Sequence, residues 1–274
     1  MESKSTSLVQ QRFAAFAESY ATSRPHAMGD SLKRLVELLA PEPDWLALDI
    51  ATGAGHMALA LAPHVAHVVA SDLTSQMLAV ARGLSHQRRI ANVSFARFRA
   101  ESLPFADATF DVVTCRIAPH HFDEVHKFVA ESARVLRRGG RFGLVDNISP
   151  DLSTTPGDPA TLAAVADEYN AFERLRDPSH MRCLTLAEWR DVVAKAGLAE
   201  RHVELLDKQI MFGPWADQQD VGDAARRELR SRLLQGSAAF RAFTRAKEKP
   251  GDLGFTLTEA VIVAENPIAV GARA

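Results

Sequence analysis

Short, nearly continuous apolar runs alternate with segments of helical periodicity through the first half of this chain. Residues 46–50, 67–72, 93–98, 110–115 and 141–146 form the apolar runs, as strands buried on both faces of a sheet require. Between them, 56–62, 75–85 and 124–137 carry apolar residues at helical spacing. Two further helices are predicted ahead of this block, over 8–20 and 30–40. Asp30 stands as a cap before Leu32, Leu35, Leu38 and Leu39, and Pro41-Glu42-Pro43 ends the second helix. Strand–helix alternation predicts an α/β fold with an open, doubly wound sheet. Ligands of such sheets sit beyond the carboxyl ends of the strands. Asp49, Asp72, Cys115-Arg116 and Asp146 all fall on that edge.

After Ser149 the alternation lapses until about residue 200. Helices are predicted over 158–176 and 185–196, with Gly197 as a stop. Two late strands, 200–211 and 255–264, flank a charged amphipathic helix over 221–247. The insertion reads as a lid over the ligand edge, and the late helix as packing on a sheet face. The chain, 1–274, thus reads as one domain. It comprises N-terminal helices or lid (1–44), a cofactor-binding half (45–148), a substrate lid (149–200) and terminal strands with a helix (201–274).

At 274 residues and 47% hydrophobic, the chain can bury a core of that size. A net charge of −2 offers no footprint for nucleic acid. The start, Met1-Glu2-Ser3-Lys4, is polar and no run reaches the length of a membrane span. A cytoplasmic protein with no membrane insertion is expected. Cys115 and Cys183 lie far apart and in no ligand spacing, so neither a disulfide framework nor a metal site is expected.

The segment Leu48-Asp49-Ile50-Ala51-Thr52-Gly53-Ala54-Gly55-His56 concentrates the candidate chemistry. A strand stops on an acid, two glycines let the backbone turn close to a ligand, and a helix begins. Gly53-x-Gly55-x-x-Ala58, with Asp72 downstream, satisfies the dinucleotide fingerprint, so an NAD-dependent oxidoreductase is the first rival. Asp72 follows the small Ser71 and either accepts from ribose hydroxyls or caps the next helix. Asp49 separates the rivals. A buried carboxylate just ahead of the glycines opposes a pyrophosphate and suits a ligand bearing an ammonium and a sulfonium. S-adenosylmethionine is such a ligand.

Four more segments accompany this one: Ala70-Ser71-Asp72-Leu73-Thr74-Ser75-Gln76-Met77-Leu78, the stretch from Ala100-Glu101-Ser102-Leu103-Pro104-Phe105 to Asp111, Arg134 to Phe142 through Gly139-Gly140, and Thr258-Glu259-Ala260. In this order they resemble the class I S-adenosylmethionine-dependent methyltransferases, in the branch of the ubiquinone/menaquinone C-methyltransferases (methyltransferase type 11). The resemblance implies a Rossmann-like, seven-stranded, mostly parallel sheet with its last strand antiparallel. It also implies an N-terminal helical lid and a helical insertion after strand 5. Asp49, Ala51, Gly53 and Gly55 would line the methionine part of the cofactor, and Asp72 would bind its ribose. Leu73 and Met77 would sandwich the adenine, although Met77 reads equally as helix core. Ala100 and Glu101 would meet the adenine edge. Arg99 departs from the family, which often has an aspartate there to accept from the adenine amino group; a guanidinium cannot accept. Tyr20, in the polar segment 20–29, would close over the methionine end, unless that segment is a plain helix–helix connection.

The methyl acceptor is expected to meet the segment after the fourth strand. Arg116 is read as an anchor for a carboxylate of cofactor or acceptor. His120 is a candidate base and His121, diverging from it, a candidate acceptor contact, or each is a plain loop histidine. In the insertion, His180 is the second candidate base and Tyr169 and Arg182 are candidate acceptor contacts; the alternative for the 175–182 turn is an ion-paired helix cap. The expected activity is methyl transfer to a carbon or oxygen of a small aromatic, quinone-like or polyketide-like molecule. A homodimer is compatible with this reading. A cyclase or dehydratase on the same cofactor-binding fold is the alternative.

Overall fold

Residues 8, 10–14 and 29–268 are described by the computed structural model. Strands β1 (Leu46–Ile50), β2 (His67–Ser71), β3 (Val93–Ala96), β4 (Phe110–Arg116) and β5 (Leu136–Asn147) form a parallel block. The long β6 (Ala199–Met211) and the short β7 (Lys247–Lys249) both run antiparallel to the last strand, β8 (Asp252–Glu265). The spatial order is β3-β2-β1-β4-β5-β8-β6, with β7 on β8. The chain winds outward from β1 to β3, then restarts on the other side of β1 with β4. The crevice beyond β1 and β4 is therefore the switch point at which such sheets bind ligands.

The helices are α1 (Asp30–Leu39), α2 (His56–Leu61), α3 (Ser75–Gln87), α4 (Val125–Val135), α5 (Pro159–Arg176), α6 (Leu186–Lys195), α7 (Phe212–Asp217), α8 (Asp223–Gln235) and α9 (Ala238–Thr244). Residues 8 and 10–14 are also helical. One sheet face buries Leu35 and Leu39 of α1 and Met57 and Leu61 of α2 against Val68, Val112 and Val145. The opposite face buries Phe128 of α4 with Trp189 and Val192 of α6 against Leu48, Val113 and Leu144. Full burial of side chains this large contributes about 1.5–3 kcal/mol each, which fixes the sheet as the rigid base of the molecule.

A second core stands on the carboxyl edge. Strands β6 and β8 continue to pair past the last β5 partner, Asn147 opposite Glu259, up to Met211 opposite Gly254. On this projecting ribbon α5, α7, α8 and α9 bury Tyr169, Phe172, Trp215, Leu229, Phe240 and Phe255 together. Phe172 and Trp215 stack with centroids 5.3 Å apart.

Five expectations are revised. The sheet carries an eighth strand, the three-residue β7. The helix expected over 221–247 breaks into α8 and α9 because the Ser237 hydroxyl accepts from the Phe240 amide (3.0 Å) and starts a new helix. These helices pack chiefly against α5 in the second core rather than on a sheet face. α6 is not part of the lid; Leu186, Trp189, Val192 and Val193 bury it on the sheet as the crossover between β5 and β6. Strand β5 opens at Leu136 and then skips from the Phe110 pairing to Arg141 opposite Val112. The intervening Gly140 admits the Arg137 and Asp111 carbonyls, which would stand 2.8 and 3.0 Å from a Cβ.

Candidate active site

The carboxylate of Asp49, at the tip of β1, is 1% exposed and accepts from the hydroxyls of Thr52 (2.6 Å) and Thr114 (2.7 Å). Burial pushes its pKa up to about 6, against those two hydrogen bonds. The turn that follows is left-handed at Ala51 (φ 52°), Gly53 (φ 55°) and Gly55 (φ 86°). A Cβ on Gly53 would meet nothing within 4 Å, so bare backbone faces the cleft there. Gly55 does not line the cleft. Its Cβ would stand 2.9 Å from that of Ala81, so glycine is required for the close approach of α3. Ala51 holds a conformation that costs an L-residue about 1–2 kcal/mol.

Asp72, beyond β2, is tied to the same turn. It accepts from the Gly53 amide (2.9 Å) and from the Thr74 amide at the start of α3 (2.8 Å). It therefore serves as a turn residue, while each oxygen retains capacity for a second bond. Burial raises its pKa. Leu73 and Met77 line the cleft beside it, and Ala100 and Glu101 line the facing wall. There Arg99 pairs with Glu101 (3.4 Å) and Asp123 (3.9 Å), which ties the β3–β4 connection to the loop after β4. The whole cleft encloses about 1090 Å³ including space open to solvent.

The third wall begins at Arg116, whose Nε donates to the Ser31 hydroxyl (3.3 Å). Burial lowers its pKa, while the Glu259 and Asp49 charges raise it. Ile117 follows with φ 55°, a rare conformation for a β-branched residue and one typical of strained functional sites.

Of the histidines at 120, 121 and 180, only His121 lines the cleft. Its Nδ1–H donates to the Ser179 carbonyl (3.0 Å), which leaves Nε2 as an acceptor. Burial and the neighbouring His120 charge lower its pKa to about 4. His120 turns inward and donates from Nδ1 to Asp146 (2.6 Å). Burial disfavours the His120 cation, but the charge and hydrogen bond of Asp146 outweigh it and raise the pKa.

The expectations for the insertion are corrected. His180 is 3% exposed and donates from Nε2 to Asn170 (2.9 Å); burial and the His120 and His121 charges hold its pKa far below the ordinary value. It is neither open to the cleft nor basic. Tyr169 is fully buried in the second core. Arg182 points away and pairs with Glu188 (2.7 Å), and only its amide reaches the site, donating to the His120 carbonyl (3.1 Å). Tyr20 lies outside the described residues.

The N-terminal contacts that are described fall earlier in the chain. Gln10 donates to the Leu73 carbonyl (3.4 Å), Arg12 to the Gln219 carbonyl (3.1 Å), and Phe13 sets its edge on His121 (5.0 Å). Phe13, Thr52, Ile117 and Asp123 line the cleft without having been foreseen. The contacts of Phe13 with His121 and of Asp123 with Arg99 join residues distant in the chain and left no local signal.

The profile of the methyltransferase domain matches residues 48–144. The methyltransferase YcgJ of Bacillus subtilis, itself uncharacterised, is 39% identical over 204 residues, covering 74% of this chain and 76% of that protein. The chain belongs to the class I S-adenosylmethionine-dependent methyltransferases. The crystal structure of YcgJ superposes on this methyltransferase with a TM-score of 0.79 and 32% identity, over 87% of this chain and 99% of YcgJ. A ubiquinone/menaquinone biosynthesis C-methyltransferase of Brucella anthropi is 36% identical over 114 residues, covering 39% of this chain and 43% of that enzyme.

The methyltransferase's cofactor is S-adenosylmethionine, and its cleft fits that cation. Four carboxylates (Asp49, Asp72, Glu101 and Asp123) face two guanidinium groups (Arg99 and Arg116). Among the described residues, no group of His, Cys, Asp or Glu could hold a metal ion, and no helix is long and apolar enough to cross a membrane.

Proposed function

We propose that this enzyme methylates a carbon or oxygen of a small aromatic, quinone-like or polyketide-like molecule. The observation that carries the reading is His121, a neutral imidazole on the cleft wall whose hydrogen bond to Ser179 leaves Nε2 able to accept. Bound S-adenosylmethionine supplies an electrophilic methyl on a good leaving group. The protein's part is then to align the nucleophile in a dry pocket and to receive a proton from it.

In this reading Asp72 accepts from the ribose hydroxyls with its remaining lone pairs. Leu73 and Met77 flank the adenine, and the Ala100 backbone and Glu101 meet its edge. Asp49, through the turn it braces, and Gly53 face the methionine end, where Arg116 anchors a carboxylate. His121 Nε2 takes a hydrogen bond, and then the proton, from a hydroxyl or activated carbon of the acceptor. The site acts on a small molecule inside one chain, and no nucleic-acid partner enters the account.

Methyl-labelled S-adenosylmethionine incubated with a panel of phenols, quinols and β-dicarbonyls tests the reading. Label should move to an acceptor, and His121→Phe should slow single-turnover transfer by about 10²–10⁴ while the cofactor still binds. Label that never leaves the cofactor, with conversion of a panel member by another route, would favour a cyclase or dehydratase instead.

A further inference from the structure

The sheet face that α1 covers turns from apolar to charged along the seam between the two cores. On β4, Val112 belongs to the core beneath α1, and Thr114 and Arg116 follow it on the same face. On β8, Val261 and Val263 belong to that core, while Phe255 and Leu257 belong to the second. Glu259 stands between the two sets, on their common face. On β6, Lys208 stands in the same way between Leu206 and Ile210.

These groups are buried and joined. Lys208 donates to Glu259 Oε1 (2.8 Å), with side chains 17% and 4% exposed. Arg116, on the cleft wall, donates from Nε to the hydroxyl of Ser31 (3.3 Å), a residue of α1 that is 2% exposed. Ser31 lies one turn before Leu35, which packs in one core with Val261. The matching step along β8, from Val261 toward the carboxyl edge of β5, reaches Glu259. The Ser31 hydroxyl therefore stands between Arg116 and Glu259. Burial works against the Glu259 charge, but Lys208, Ser31 and Arg116 outweigh it and lower its pKa.

A buried ion pair is a poor source of stability, since apolar side chains of the same size often do as well. Lys208 and Glu259 fit another role. A hydroxyl that gives its proton to a carboxylate turns its lone pairs outward, and so offers Arg116 Nε a fixed acceptor. Lys208 balances the Glu259 charge, so the carboxylate does not itself capture the guanidinium. Held at Nε, the Arg116 head can present its terminal nitrogens to a planar anion. We propose that Ser31 and Glu259 are positioning residues for Arg116, which they aim at the carboxylate of the cofactor's methionine part. The proposal rests on the reading of Arg116 as the carboxylate anchor.

The test titrates the full chain with S-adenosylhomocysteine and with its decarboxylated analogue, which keeps the ammonium and lacks the carboxylate. The parent should prefer S-adenosylhomocysteine by about tenfold or more. Arg116→Gln should abolish that preference. Ser31→Ala and the charge-neutral double variant Glu259→Gln/Lys208→Gln should each reduce it by about threefold or more, and bind the decarboxylated analogue as the parent does. A preference lost in Arg116→Gln but intact in those two variants would overturn the proposal. So would an equal loss of affinity for both ligands, which would mark the row as structural only. No preference in the parent, or one that survives Arg116→Gln, would overturn the anchor reading and the proposal with it. Failure of the cofactor reading would show differently, as no S-adenosylhomocysteine binding by the parent.

Discussion

Asp49 has a raised pKa and a hydroxyl on each oxygen, so its ionisation and the stability of the protein are linked. Its folded value of about 6 lies above the ordinary 3.8. The proton is thus held more tightly in the folded state, and stability present below the ordinary value is lost as pH rises through about 6. Asp49→Asn should therefore stabilise the protein at about pH 8 by up to about 3 kcal/mol and have little effect near pH 4. Chemical denaturation at the two pH values checks this. The histidines make a second prediction at this scale. His121 should remain neutral with its proton on Nδ1 down to weakly acid pH, whereas His120 should keep its charge above the ordinary 6.5. The His120–Asp146 pair adds stability below that ordinary value, and the contribution fades as pH rises through the raised one. Nitrogen-detected imidazole spectra would show both, and Asp146→Asn should bring the His120 titration down. Which of two adjacent histidines meets the cleft was not readable locally. It is set by the Ser179 carbonyl and by the Met181 and Arg182 amides on the His120 carbonyl, contacts from about sixty residues away.

Among the elements, the strand–turn–helix units were the most legible, because each carries its own apolar period and its own breakers. β1, β2 and β4 fall where the pattern puts them, and Asp49, Gly53 and Asp72 come to one turn as that pattern requires. The glycines were read too uniformly. Gly53 bares backbone to the cleft, while Gly55 makes room for Ala81, a contact between α3 and the turn. Gly55→Ala should cost about 1–3 kcal/mol through clash and left-handed strain. It should weaken the cofactor only through that distortion, and a melting curve beside a cofactor titration would separate the two. Several residues that carried the family resemblance prove to be structural. Arg134 donates to the Leu103 (3.0 Å) and Phe105 (2.8 Å) carbonyls and pairs with Glu131 (2.6 Å) and Asp107 (2.8 Å). The Leu-Pro-Phe segment and Arg134 thus travel together because one clamps the other. The insertion was the least legible element, since α5 and α8 bury against each other rather than against the sheet and show no simple stripe.

Across the molecule, a rigid sheet with a cofactor cleft at its switch point carries a second core on the ribbon of β6 and β8 that outruns the sheet. Residues 10–13 bridge the two, from Leu73 at the cleft rim to Gln219 near the second core. The central claim is that the acidic set around the glycine turn holds S-adenosylmethionine, with Asp72 on its ribose. Calorimetric titration of S-adenosylmethionine into the parent and into Asp72→Ala, with NAD as a control ligand, tests it most directly. The parent should bind S-adenosylmethionine and not NAD, and Asp72→Ala should lose about tenfold or more in affinity. Equal affinity in the two proteins, or preference for NAD, would contradict the account.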